Sequence, residues 1–371
     1  MSPTSPLRIV VKLGTSTVTG GTAAPSLVHL KGLARQMAAL RRNGHVVIVV
    51  SSGAIAAGRS VLDAAELPRH VPAKQMLSAV GQPRLMAMWQ KAFDPHHVPV
   101  AQVLLTAGDL GARDGWLNAR NTLTALLDHG VVPVVNENDT VATEEIRVGD
   151  NDNLSALVAQ LVHADLLVML TNQTGLYTAD PRHDPDARLV HVVDTPEIPA
   201  ELWKAAAPPA DSLGTGGMIT KLQAADLARR TGCMVVIANG RERDILRRLI
   251  DGDAPGTRFM PTSSAPESRK RFILSGVGRQ GTLVVDAGAA GALARGGSLL
   301  PVGLTRVDGE FARGDTVAIA SSDGHVFARG LTAYDASELR RLVGRRSADI
   351  EQVLGYTFGD EIVHRNDMVI L

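Results

Sequence analysis

Arg8-Ile-Val-Val-Lys-Leu-Gly-Thr-Ser16 is an apolar, β-branched run that ends in a loop of small residues, with Lys12 standing two places before the glycine. The pattern returns where Val46-Val-Ile-Val-Val50 runs into Ser51-Ser-Gly-Ala-Ile-Ala-Ala-Gly58. A third small-residue loop, Gly214-Thr-Gly-Gly-Met-Ile-Thr-Lys221, precedes an amphipathic stretch. Glycine removes the Cβ that would keep backbone N–H groups away from phosphate oxygens. The chain reads as a nucleotide-handling α/β enzyme.

Outward from these loops, strand-like runs alternate with helix-patterned ones. The runs are Arg8 to Leu13, His45 to Val50, Val98 to Leu105, Val131 to Asn136, Asp165 to Leu170 and Cys233 to Ala238. Helical periodicity occupies Leu27 to Arg42, Ala73 to Ala92, Leu154 to Val162 and Met218 to Arg230. This order predicts a mainly parallel sheet sandwiched by helices, a three-layer αβα arrangement whose strands are covered on both faces. Ligands in such sheets collect at the carboxyl ends of the strands, where the loops sit. The composition changes at Pro261-Thr-Ser-Ser-Ala-Pro-Glu-Ser268, which reads as a linker. Beyond Arg271 the runs shorten and glycine is frequent, as in Gly281-Thr-Leu-Val-Val-Asp286, Asp315-Thr-Val-Ala-Ile-Ala320 and Val326-Phe-Ala-Arg-Gly330. The expected division is residues 1–260, a linker at 261–270, and a small, mostly β domain at 271–371.

The length, 371 residues, fits two or three domains. Lys plus Arg and Asp plus Glu number 38 each, so no global charge draws the chain to nucleic acid or a membrane surface. A single cysteine, Cys233, excludes an intrachain disulfide and opens an apolar run, as a buried structural thiol does. No apolar run reaches the ~18 residues of a membrane span, and the start lacks the basic-then-apolar pattern of a signal peptide. A soluble, cytoplasmic protein is expected.

Lys12 and Lys221, each beside a glycine loop, suit a triphosphate whose transferred phosphoryl group needs positive charge around it. Asn136-Glu-Asn-Asp-Thr140 ends one strand, and Gly149-Asp-Asn-Asp-Asn153 opens the helix expected from Leu154. Four consecutive cap-type residues exceed what one helix cap requires. They form no EF-hand, because the fifth and sixth positions hold Leu154 and Ser155. Such side chains can grip an amino-acid-like substrate or hold the lysines as counter-charges. No G-x-x-x-x-G-K-[ST] occurs. The G-x-G-x-x-G at Gly276, Gly278 and Gly281 leads into a strand and not a helix, which makes it a chance match. Tyr177 after Thr171-Asn-Gln-Thr-Gly175 is read equally as a base-stacking ring or a turn tyrosine covering the core.

In order, Val11-Lys-Leu-Gly-Thr-Ser16, Ser52-Gly-Ala-Ile-Ala-Ala-Gly58, Asn136-Glu-Asn-Asp139, Val148-Gly-Asp-Asn-Asp-Asn-Leu-Ser-Ala156 and Gly214-Thr-Gly-Gly-Met218 with Thr220-Lys221 resemble the glutamate 5-kinases of the amino acid kinase superfamily. The tail resembles a PUA domain through Gly297-Ser-Leu-Leu-Pro-Val-Gly303, Val307-Asp-Gly-Glu-Phe311, Arg313-Gly-Asp315 and Ala328-Arg-Gly-Leu331. The resemblance implies the amino acid kinase fold and transfer of the ATP γ-phosphoryl group to the side-chain carboxylate of L-glutamate. The product would be γ-glutamyl phosphate, at the first step of proline synthesis. It implies Lys12, Lys221 and Asp152 in catalysis, and Ser52, Asp139 and Asn151 on glutamate. ATP would lie on Thr171, Asn172, Thr215, Gly216, Gly217, Met218, Ile219, Thr220 and Lys221, with Mg²⁺ held through its phosphates and not directly by the protein. A homo-oligomer, coupling to γ-glutamyl phosphate reductase and feedback inhibition by proline are further implications. Two positions depart from the family pattern, both in the nucleotide site: Asn172 replaces an Asp, and Ile219 replaces a small polar residue. Sister kinases acting on aspartate, N-acetylglutamate or UMP fit the Asn-Glu-Asn-Asp segment and the PUA tail less well. RNA binding is disfavoured as a main function, since residues 271–371 carry eleven Arg, no Lys and twelve Asp or Glu.

Overall fold

The computed structural model describes residues 5–62, 70–142, 151–207, 217–253, 255–264, 267 and 281–371. By its internal contacts the chain divides into one unit of Met1–Gly111 with Ala119–Ser264, and a second of Ala112–Asn118 with Ala265–Leu371.

The first unit is built on eight strands: β1 (Arg8–Leu13), β2 (Val46–Ser51), β3 (Val100–Leu105), β4 (Val132–Glu137), β5 (Leu166–Thr171), β6 (Val192–Val193), β7 (Met234–Asn239) and β8 (Thr257–Phe259). They lie in the order β3-β4-β2-β1-β5-β7-β8-β6. Every pairing is parallel except β7 with β8. The expected runs are all found, with ends displaced by at most two residues, whereas the short strands β6 and β8 carry too few apolar residues to be seen in the sequence. Residues Ile9 to Leu13 of β1 are all buried, as a strand covered on both faces requires. Ile9, Val11 and Leu13 join Leu30, Leu33 and Met37 of helix Leu27–Arg42, and Trp89 and Phe93 of helix Val71–Phe93, in the main core. The even-numbered face, which carries Lys12, turns to helix Asn151–Leu161.

Helix Val71–Phe93 runs through Pro83. Pro83 and Ala79 are both exposed, so the carbonyl that loses its amide partner stands in water. On its inner face the helix meets Ala54–Leu62, a helix where the sequence reading expects a small-residue loop from Ser51 to Gly58. Contact there is backbone to backbone. A Cβ on Gly81 would come within 1.8 Å of the Ala54 carbonyl oxygen, and one on Gly58 within 1.9 Å of the Leu77 carbonyl oxygen. Helix Arg113–Asp128 is likewise an addition to the expected elements.

In the second unit β9 (Gly281–Val285), β10 (Leu304–Gly309), β11 (Thr316–Ser321), β12 (Val326–Leu331) and β13 (Met368–Ile370) form a sheet in the order β10-β9-β11-β12-β13. Its core gathers Leu283, Val285, Val317, Ile319 and Tyr334. Gly281 opens β9 where a Cβ would strike the Phe311 ring at 2.0 Å. That glycine therefore serves packing, and Gly276 and Gly278 lie outside the described residues. Among the described residues no helix is long and apolar enough to cross a membrane.

The helix crossing generates a paired test. Gly81→Ala should lower stability by about 1–3 kcal/mol through backbone overlap, although alanine is the better helix former. Gly32→Ala, in helix Leu27–Arg42 with nothing within 4 Å of the new Cβ, should instead gain about 0.5–1 kcal/mol. Urea midpoints of the two variants moving in the same direction would contradict this account.

Candidate active site

Lys12 breaks the apolar run of β1 and is 3 % exposed. An ammonium at that depth requires a compensating anion. Its Nζ lies 2.5 Å from Oδ1 of Asp152. Asp152 stands in the first turn of helix Asn151–Leu161, where the positive end of the helix dipole favours a carboxylate. Its second oxygen accepts from Thr220 Oγ1 at 2.7 Å and from Lys221 Nζ at 3.1 Å. Burial alone pushes the Asp152 carboxyl up, but the charges of Lys12 and Lys221 and the hydrogen bonds from Lys12 and Thr220 outweigh it and hold the group at about 2. The carboxylate is thus fully ionised at neutral pH, with both oxygens engaged.

The helix start differs from expectation. Asn151 and Asp152 are helical residues and not caps ahead of Leu154, since their side chains are committed to partners across the strand ends. The remainder of that cluster, Gly149 and Asp150, lies outside the described residues.

Thr220 and Lys221 come from helix Met218–Arg229, whose N-cap is Gly217 without a side-chain cap. A helix start of this kind directs backbone N–H groups outward, the arrangement that phosphate groups use. Met218 and Ile219 are partly buried and Gly217 is exposed at this helix end. Thr215 and Gly216 lie outside the described residues. Thr171 ends β5, beside β1, with Asn172 exposed just beyond it. Tyr177 forms an antiparallel bridge with Leu189 in the segment that follows.

On the other side of β1, Asn151 Nδ2 donates to Ser52 Oγ at 2.8 Å and to Asn136 Oδ1 at 2.9 Å. Its Oδ1 is buried and has no hydrogen-bond partner among the described residues. A buried acceptor in that state costs free energy unless a ligand supplies the donor. Asp139 lies past the end of β4 and accepts from Ser78 Oγ at 2.6 Å. Desolvation raises its pKa, against the hydrogen bond from Ser78 and the charge of Lys74.

The structure therefore brings Lys12, Asp152, Thr220 and Lys221 into one cluster, and Ser52, Asn136 and Asn151 into another. The adjacent residues Asn151 and Asp152 join the two. In the sequence Asn136 is only part of a strand-end segment. Ser78, Gln82 and Gln102 carry no signal there at all, because polar residues inside a helix or strand pattern resemble its solvent face. The cationic cluster can hold a phosphoryl group, and the hydroxyl and amide cluster can hydrogen-bond a small polar ligand, with Asp139 standing apart from it on Ser78.

The amino acid kinase family model matches residues 7–239, and the PUA domain model matches residues 281–354. A glutamate 5-kinase of Vibrio vulnificus is 50 % identical over 372 residues, spanning 100 % of this chain and 98 % of the relative. One of Photobacterium profundum is 52 % identical over 364 residues, 98 % of this chain and 96 % of the relative. One of Herpetosiphon aurantiacus is 51 % identical over 364 residues, 98 % of each.

The depressed pKa of Asp152 predicts a pH-dependent contribution to stability. With a folded-state value of about 2 against 3.8 when unfolded, the group adds about 2 kcal/mol above the unfolded pKa. That contribution is lost as pH falls from about 4 toward 2. Asp152→Asn should cost about 3 kcal/mol or more at pH 7 by leaving two lysines beside a neutral partner. Its deficit against the parent chain should shrink as pH falls from about 4 toward 2. A deficit constant with pH would remove Asp152 as the source.

Proposed function

The chain belongs to the amino acid kinase family, and from that premise we infer that it is a glutamate 5-kinase: it transfers the γ-phosphoryl group of ATP to the side-chain carboxylate of L-glutamate, giving γ-glutamyl phosphate. The likeness to glutamate 5-kinases at 50–52 % identity over essentially the whole chain carries this reading. The reaction is the first step of proline biosynthesis.

The chemistry asks little of a general base, because a carboxylate is already a nucleophile. Positioning and charge do the catalysis. We assign Lys12 and Lys221 to the transferring phosphoryl group, where they offset the charge that spreads over its oxygens, and Asp152 to holding both ammonium groups in place. Thr171, Asn172 and the segment Thr215–Lys221 are assigned to ATP. The uncapped start of helix Met218–Arg229 supports this. Glutamate is assigned to Ser52, Asp139 and Asn151: the Asp139 carboxylate toward its ammonium, and the unpartnered Asn151 Oδ1 toward a donor of the substrate. Both Asp152 oxygens are taken by lysine and threonine donors. Mg²⁺ therefore fits best on the phosphates of ATP, where it supplies further charge neutralisation.

Residues 1–260 are proposed as the kinase domain, 261–270 as a linker and 271–371 as the PUA domain, in keeping with the two matched segments. We further propose a cytoplasmic homo-oligomer. It passes its reactive acyl phosphate to γ-glutamyl phosphate reductase and is inhibited by proline. Nucleic acid is not a proposed partner.

Incubation with ATP, Mg²⁺, glutamate and hydroxylamine should yield the coloured glutamyl hydroxamate, and absence of product would overturn the functional reading. Lys221→Ala should lower kcat about 10²-fold or more while the far-ultraviolet circular dichroism stays that of the parent. Near-normal turnover would exclude this lysine from the chemistry. Asp139→Ala should raise KM for glutamate far more than KM for ATP, since the substrate ammonium loses its partner in a desolvated site. A change confined to the ATP KM would refute the pocket assignment.

A further inference from the structure

Helix Val71–Phe93 is the element that joins the main core to the proposed glutamate pocket. Its buried stripe contains Ala73, Leu77, Gly81 and Leu85. Beside that stripe run three amide or hydroxyl side chains, Gln75, Ser78 and Gln82, at the i, i+3, i+7 spacing that puts them on one face. All three grip the same piece of chain, the end of β4 and the turn after it. Gln75 Nε2 donates to the Ala142 carbonyl oxygen at 3.1 Å. Ser78 Oγ donates to Asp139 Oδ2 at 2.6 Å. Gln82 Oε1 accepts from Asn136 Nδ2 at 2.9 Å. Ser78 and Gln82 are buried, and neither is accounted for by the core or by the reaction.

The Gln82 contact is one link of a longer chain of amides. Gln82 Nε2 donates to Gln102 Oε1 at 3.0 Å, Asn136 Nδ2 donates to Gln82 Oε1, and Asn151 Nδ2 donates to Asn136 Oδ1. Each amide gives its NH₂ to the next carbonyl, so the direction is the same throughout. A primary amide has two N–H bonds, and Asn151 places them on Asn136 and Ser52. What remains is its Oδ1, buried and unpartnered among the described residues. The relay thus determines which end of the Asn151 amide is presented: an acceptor, toward a ligand that donates. A half-turn of that amide would present a donor, which an ammonium cannot use.

We propose that Gln82 and Ser78 are positioning residues for the amino-acid substrate. From one helix, Gln82 sets the orientation of Asn151 through Asn136, and Ser78 sets that of Asp139, so that these two acceptors are oriented toward the substrate ammonium. The proposal rests on the glutamate reading given above. It extends the substrate machinery to side chains that do not themselves touch the ligand.

The experiment uses the full chain and steady-state kinetics in both substrates. Gln82→Met keeps the volume and loses the relay, and Ser78→Ala loses one hydroxyl. Each should raise KM for glutamate about fivefold, the equivalent of one hydrogen bond, with KM for ATP and kcat within about twofold. Gln82→Glu keeps an acceptor for Asn136 Nδ2 and should restore a KM close to that of the parent. The stronger test is coupling: Gln82→Met added to Asn151→Ala, and Ser78→Ala added to Asp139→Ala, should raise KM for glutamate no further than the single substitutions at Asn151 and Asp139. A merely structural role would move both KM values together and would add in the double variants, and that result overturns the proposal. Gln82→Glu as impaired as Gln82→Met would overturn the assigned direction of the relay. Failure of the functional reading looks different: the parent chain itself would then form no glutamyl hydroxamate.

Discussion

One buried carboxylate organises this molecule. Asp152 draws Lys12 from β1 and Thr220 and Lys221 from helix Met218–Arg229 onto two oxygen atoms, and it is itself delivered by the first turn of helix Asn151–Leu161. Burial works against the ionised Asp152 carboxyl, and the charges of Lys12 and Lys221 offset it. Three separate elements must therefore arrive at one point for any of them to be stable there. Breaking the cluster leaves an uncompensated buried charge, which costs more than the intact arrangement contributes.

The position of the cluster follows from the order of the strands. β1 has β2 and then β4 on one side, and β5 and then β7 on the other. The chain builds the side of β2, β3 and β4 first and then crosses to β5 on the other side, so the strand order reverses at β1, and a parallel sheet offers room for ligands above the carboxyl end at such a point. The two sides carry different chemistry. In the proposed assignment the lysines face the phosphoryl end, and Ser52, Asp139 and Asn151 face the amino-acid end. Asn151 and Asp152, adjacent in the chain, connect the two clusters.

Most of this frame is legible in the sequence because it rests on local signals. Short, mostly apolar runs identify β1, β2, β4, β5 and β7, and the glycine loops after two of them identify the ligand edge. Lys12 and Lys221 stand out because a lysine beside such a loop has a reason to be there. The helices Ala54–Leu62 and Arg113–Asp128 escape such a reading although both are amphipathic, since the first starts inside the glycine-containing run Ser51 to Gly58 that reads as a loop, and the second opens with Arg113-Asp-Gly115. Ser78 and Gln82 escape it for a different reason. Their significance lies in what they touch from sixty-one and fifty-four residues away, and no spacing within a helix reveals a partner on a distant strand. The roles of Asn151 and Asp152 are only half legible for the same cause, since side chains typical of a helix cap turn out to be held by partners across the strand ends.

The division of charge in the site has a physical logic of its own. Phosphoryl transfer from ATP to a carboxylate brings two anions together, so the locus where they meet must stay net positive. Lys12 and Lys221 against Asp152 leave one positive charge. A second carboxylate directly beside them would cancel it. The polar groups nearest to that cluster, on the amino-acid side, are instead neutral: the Ser52 hydroxyl and the amides of Asn151, Asn136 and Gln82. Neutral amides orient through hydrogen bonds without adding charge, and when they are fully connected they do so at little cost even when buried. The one carboxylate assigned to that side, Asp139, is outside the relay, on the segment that Ser78 holds. Its desolvation raises its pKa, so it gains most from an ammonium partner, whose charge restores the ionised form. A zwitterionic substrate with its ammonium at Asp139 and its carboxylate toward the lysines therefore satisfies both ends of the site at once.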